Sequence, residues 1–231
     1  MAVNGEICVS IADRDLDRAL ALAAGAADLA TVLEIRLDAM ARPTAAPFVD
    51  KLNVPLLFTC RPTWEGGEFA GSEEERFALL GEAVRSGATY VDVELRADEE
   101  LRRQLLALAK KHEVKVIVSW HDFKTTASAQ ALRSIFEAEY RSGADIGKIV
   151  TTGRTFQDVL RVLALQEIAF EMGFSLCAFC MGRAGMISRV ATLELGGFMT
   201  YAAPDHGPAT APGQLSVSAL RKALECFDED I

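Results

Sequence analysis

Short apolar runs alternate with longer amphipathic stretches along the whole chain, and this rhythm constrains the fold more than any other feature. It predicts strands at 6–11, 32–37, 55–60, 90–95, 114–120, 146–150, 174–180 and 198–203. Helical spacing falls between them, at 16–24, 47–52, 72–86, 98–111, 128–142, 155–172, 185–195 and 216–227. Several strands are continuous apolar runs (PLLF, VIVSW, LCAFC), which suits parallel strands covered by helices. Such alternation in one domain leaves a closed eight-fold barrel or an open doubly wound sheet. Units of about 28 residues each favour a (β/α)8 TIM barrel. The turn after the first strand, Ser10-Ile11-Ala12-Asp13, also lacks the glycines of a dinucleotide-binding open sheet. No Pro/Gly/Ser linker divides the 231 residues, so a single barrel domain over 1–231 is expected.

The charge balance narrows the function classes. With 33 acidic and 24 basic side chains the formal charge is -9, unsuited to neutralising nucleic-acid phosphates. The N-terminus has no basic flank leading into a long apolar stretch, and the Ala-rich window 19–32 is interrupted by Asp28. A cytoplasmic protein without membrane association is therefore expected. Five cysteines, an odd number, fall mostly in apolar runs and read as buried free thiols. Cys177 and Cys180 have the CxxC spacing, but on a strand positions i and i+3 face opposite sides, which argues against a metal clamp.

In a barrel of this kind chemistry belongs at the C-terminal ends of the strands. Ionisable residues recur there: Glu34, Arg36 and Asp38; Arg61 with Glu65 and Gly66-Gly67; Asp92 and Glu94; His121 and Asp122; Lys148; Ser188-Arg189. The last loop adds Thr210 and Gln214. Taken singly, Glu34 and Arg36 read equally well as a structural ion pair, and His121 as a capping imidazole. Together, six strands delivering such groups to one rim point to a concave polar site.

Lys148 is the hardest of these to explain as structure. A lysine inside a short apolar strand cannot easily snorkel, and burying an unpaired ammonium is costly. Burial is expected to draw off its proton and leave a nucleophilic amine. Arg36, Arg61 and Arg189 add a cationic patch, which suits a small anionic substrate. A carboxylate is preferred to a phosphate, because the loop PDHGPATAPGQ carries prolines that remove N–H donors. Lysine, histidine and carboxylate side by side suggest imine formation on a ketone, followed by proton abstraction at the adjacent carbon. A lysine-imine aldolase and a barrel that only binds an anion remain alternatives on these residues alone.

The motifs, taken in order, resemble those of the type I 3-dehydroquinate dehydratases, the dehydroquinases of the shikimate pathway. They are Glu34-Ile35-Arg36-Leu37-Asp38, Phe58-Thr59-Cys60-Arg61, Glu65-Gly66-Gly67-Glu68, Asp92-Val93-Glu94, Ser119-Trp120-His121-Asp122-Phe123, Lys148, Gly185-Met186-Ile187-Ser188-Arg189 and Ala211-Pro212-Gly213-Gln214-Leu215. The resemblance implies a cofactor-free TIM-barrel hydro-lyase, usually a homodimer, acting on 3-dehydroquinate. It implies Lys148 as the Schiff-base lysine, His121 as general acid/base and Glu65 as the carboxylate orienting it. Arg189 and Gln214 then hold the substrate carboxylate and its neighbouring hydroxyl, while Glu34, Arg36 and Arg61 bind ring hydroxyls. Trp120 stands where the family usually has Tyr, Asn or His, and strand alternation turns it away from the pocket. Thr210 stands where Ser is common and keeps the hydroxyl. The loop 203–214 is the expected lid.

Overall fold

A computed structural model describes residues 5–228. Eight parallel strands follow one another in the chain: β1 (Glu6–Ile11), β2 (Val32–Arg36), β3 (Leu56–Thr59), β4 (Tyr90–Glu94), β5 (Lys115–Asp122), β6 (Ile146–Thr152), β7 (Ser175–Met181) and β8 (Met199–Ala202). Each hydrogen-bonds to its sequence neighbour from β1 to β7, and β8 pairs with β1. The remaining seam is bridged where Phe198 N–H donates to the Leu176 carbonyl at 2.9 Å, so the barrel is nearly closed. The single TIM-barrel fold read from the sequence rhythm is the fold observed.

Helices α1 (Leu16–Ala26), α2 (Ala46–Lys51), α3 (Glu73–Ser86), α4 (Glu99–Lys111) and α5 (Ala129–Arg141) cover the first five crossovers. They are followed by α6 (Phe156–Leu163), α7 (Leu165–Glu171), α8 (Met186–Glu194) and α9 (Val217–Asp228). The uninterrupted helix expected over 155–172 is thus two. The break falls at Ala164, with φ -60° and ψ -18°, and no Pro or Gly announces it. Helix starts obey their sequence signals. Ser72 accepts from Glu75 N–H, and the Glu75 carboxylate accepts from Ser72 N–H, closing a capping box on α3.

Side chains alternate in and out along each strand, which sorts the apolar residues into two environments. Val9, Leu33, Phe58, Val91 and Val118 pack outward under the helices, while Cys8, Val32, Leu57, Ile117 and Ile146 fill the barrel interior. Cys177 joins the interior cluster and Cys180 the outer one, on opposite faces as the strand period requires. Trp120 packs outward beside Phe136 and Ile149, away from the pocket.

Candidate active site

All nine candidate residues border one pocket at the C-terminal mouth of the barrel: Glu34, Arg36, Arg61, Glu65, His121, Lys148, Arg189, Thr210 and Gln214. Strand period and register explain the convergence. His121 follows Ser119 by two on β5, and Ser119 stands level with both Glu94 on β4 and Lys148 on β6.

Lys148 is 4 % exposed, but its ammonium is not unpaired as its apolar strand suggested. Nζ donates to Asp92 Oδ2 at 3.0 Å and stands 3.9 Å above the centre of the Tyr201 ring. Burial pushes the Asp92 carboxyl up, yet Arg61 and Lys148 outweigh it and hold the group well below the usual carboxylate range. Asp92 Oδ1 in turn accepts from Arg61 at 2.8 Å and from Ser119 at 2.6 Å.

His121 and Glu65 meet across 56 residues of sequence. Glu65 closes a 3₁₀ turn after β3, and Gly66 follows it in the left-handed conformation at φ 78°. A side chain on Gly67 would run into the Arg61 carbonyl at 2.0 Å, so this glycine pair allows the turn that brings Glu65 under β5. Glu65 Oε1 accepts from the His121 backbone N–H at 2.9 Å and lies 3.0 Å from Nδ1. Its other oxygen accepts twice from Arg96, at 2.7 and 3.0 Å. A carboxylate engaged in this way assigns the hydrogen to Nδ1 and leaves Nε2 as the free base. Burial, with Arg61 and Lys148 nearby, holds the imidazole well below its usual range, so it is neutral at pH 7.

The arginines divide into two kinds. Arg61 donates to Asp92, to Glu94 at 2.6 Å and to Ser119 at 2.7 Å, so it braces the interior rather than standing free for a ligand. Arg36 pairs with Asp38 at 2.6 Å, which corrects the Glu34–Arg36 ion pair allowed by their spacing. Glu34 instead accepts from the Thr59 hydroxyl at 2.8 Å. Asp38 also takes the Arg61 and Glu68 N–H groups, locking the β3 loop.

Arg189 differs from both. It is 1 % exposed, and among the described residues no carboxylate pairs with it. Its guanidinium stacks on Phe179 at 4.8 Å and donates only to the Tyr201 and Pro212 carbonyls, at 3.3 and 3.4 Å, with Nε unsatisfied. Burial pulls it down to about 10, which leaves it a cation at neutral pH. A buried cation without a counter-ion, facing a pocket, is built to receive an anion.

The loop 203–214 closes one side of the mouth. Thr210 donates through N–H and hydroxyl to Gln214 Oε1, at 2.8 and 3.2 Å, so Gln214 is turned partly toward its own loop. Gly213, at φ 75°, brings this loop against the backbone of Gly182 after β7, and an added Cβ would lie 2.9 Å from the Gly182 carbonyl. Pocket residues that the sequence reading left without a role include Ser10 and Tyr201. Their inward position on β1 and β8 was readable from strand alternation, but neither carries a charge to draw notice. Arg96 lies outside the lining and was missed altogether.

Comparisons with known proteins point to one family. A sequence model of the family described as Type I 3-dehydroquinase matches residues 7–231. A 3-dehydroquinate dehydratase of Desulfotalea psychrophila is 48% identical over 218 residues, spanning 94% of this chain and 95% of that one. The crystal structure of 3-dehydroquinate dehydratase from Geobacillus kaustophilus superposes with a TM-score of 0.89 at 28% identity, over 97% of this chain and 91% of its own. A type I 3-dehydroquinate dehydratase from Clostridium difficile, crystallised with covalently modified comenic acid, gives 0.87 at 27% identity, over 99% and 94%. With the family model matched over residues 7–231 and the barrel fold shared, the chain belongs to the type I 3-dehydroquinase family.

Proposed function

We propose that the enzyme removes water from 3-dehydroquinate to give 3-dehydroshikimate through an imine on Lys148. The observation that carries this reading is the buried, uncompensated Arg189 in the same pocket as the Lys148–Asp92 and His121–Glu65 pairs. One end of the site receives a carboxylate, and the other offers an amine beside a base.

The chemistry runs on these groups alone. His121 takes a proton from the Lys148 ammonium, and the amine adds to the C3 carbonyl. The proton passes on to the carbinolamine hydroxyl, which leaves as water. The iminium keeps the single positive charge opposite Asp92. His121 Nε2 then removes the C2 proton, and the electron pair moves into an enamine. The enamine breaks the C1–O bond as the imidazolium returns its proton to the leaving hydroxyl. Water hydrolyses the product imine and frees the amine. Glu65 holds the imidazole in the tautomer that leaves Nε2 basic, and Arg189 with Gln214 fixes the ring by its carboxylate and neighbouring hydroxyl. Glu34, Arg36 and Thr210 supply polar contacts to the remaining hydroxyls, and Arg61 sets their framework.

The test follows 3-dehydroquinate by the ultraviolet absorbance of the conjugated enone, then traps the complex with borohydride. A rising signal and a covalent adduct on Lys148 are expected. Substrate bound without any adduct would refute the imine.

The same reading extends to assembly and setting. Phe156 and Leu160 on α6, Ile187 on α8 and Phe170 on α7 are all more than 60 % exposed. Large apolar side chains so arranged support an interface with a second copy of the chain. Four buried free thiols support a reducing, cytoplasmic setting.

A further inference from the structure

We infer that Arg96 is a positioning residue for the acid/base histidine, extending the His121–Glu65 pair into a His–Glu–Arg relay. The inference rests on the reading of His121 given above. Arg96 lies two residues beyond the end of β4, does not line the pocket, and reaches the chemistry only through Glu65. Its Nε and Nη2 both donate to Glu65 Oε2, at 3.0 and 2.7 Å, and Nη2 also approaches the His121 carbonyl at 3.4 Å. One guanidinium thus ties the carboxylate and the histidine backbone together. Its carbon lies 5.7 Å from the centre of the Trp64 ring, next in sequence to Glu65, and that indole has Arg76 at 6.0 Å. The stacking restricts a side chain that is 48 % exposed.

The relay answers a need set by the site. Glu65 must stay ionised to accept from Nδ1–H, yet its carboxyl is fully buried. Burial pushes it toward the neutral form, and Asp92 pushes the same way. Arg61 opposes them, but its own donors are spent on Asp92, Glu94 and Ser119. The other facing group, His121, is neutral. Among the described residues Arg96 is therefore the one permanent cation hydrogen-bonded to Glu65. Without it, Oε2 is left in the interior with no donor, and the carboxylate is free to rotate away from Nδ1.

The test compares wild type, Arg96→Met and Arg96→Lys by kcat, KM and their pH profiles, with the ¹⁵N shifts of His121 in the free enzyme. Arg96→Met is expected to lower kcat about 10- to 100-fold, the usual scale for an orienting partner, with KM nearly unchanged. Its acid limb of kcat should move to higher pH, because Glu65 then loses its charge earlier on acidification. The imidazole should populate both tautomers, where wild type carries hydrogen on Nδ1 alone. Arg96→Lys should restore the acid limb and part of kcat, and borohydride should still label Lys148 in both variants. An Arg96→Met enzyme with the wild-type profile and tautomer, or one slowed equally at every pH and not rescued by lysine, would overturn the relay. The ¹⁵N readout needs no turnover, so a wild type inactive on 3-dehydroquinate would count against the reaction and leave the tautomer to judge Arg96.

Discussion

Asp92 uses its two oxygens for different purposes, one bracing Arg61 and Ser119 and the other facing Lys148. This separation makes the lysine dispensable for folding, since Asp92 keeps two donors without it. Lys148→Ala should abolish turnover while its urea unfolding midpoint stays close to wild type; retained activity would remove the lysine from the mechanism. His121→Ala should still form the imine slowly and lose about 10²–10⁴ in turnover, the scale of a positioned acid/base, measured by single-turnover trapping. The depressed His121 pKa sets a pH signature. In the free enzyme the imidazole stays neutral below its ordinary value, so the acid limb of kcat/KM should lie below pH 6.5. Stability follows the same sign: the unfolded histidine binds its proton first, so stability present above pH 6.5 is lost as pH falls below it. At this scale the sequence singled out residues that line one pocket but few of their partners. Lys148 and Asp92 are 56 residues apart, as are Glu65 and His121; strand register brings the first pair together, and the 3₁₀ turn after β3 brings Glu65 to β5. Arg96 left no trace in the spacing because it acts from a loop through another side chain.

Elements were legible where local signals and tertiary packing agree. The Ser72-x-x-Glu75 box fixes the start of α3, and Ser72→Ala should cost about 1 kcal/mol, the typical value of an N-cap, measured by urea unfolding. A loss near zero would mean that packing of Phe77 and Leu80 holds the first turns unaided. Two boundaries were illegible for definite reasons. The division of α6 from α7 depends on a small change in ψ at Ala164, a good helix former that no propensity rule flags. Strand β5 runs on to Asp122, beyond the apolar run that ended its expected span, because His121 and Asp122 keep pairing with Val150 and Thr151 of β6. That extension holds His121 on a sheet rather than on a turn.

For the whole molecule, eight rhythmic units sufficed to read the barrel, since closure follows from the count of strand–helix repeats. The last junction is the exception: β7 and β8 meet through the Phe198–Leu176 hydrogen bond instead of a full ladder, which no periodicity foretells. Association is equally hidden, because apolar residues on one turn of a helix look alike whether they face a core or a partner. Leu160, 61 % exposed on α6, tests the proposed assembly. Wild type should sediment at twice the 25.0 kDa chain mass, and Leu160→Lys should shift it toward the monomer. A monomeric wild type would leave the apolar faces of α6 and α8 without that partner. The loop that seats Gly213 on Gly182 also supplies, through Pro212, one of the few carbonyls touching Arg189. An outward shift of this segment would therefore cost the guanidinium an acceptor as it widened the mouth. The mouth of the pocket and the surroundings of Arg189 would thus respond together, through the touching backbones of Gly182 and Gly213.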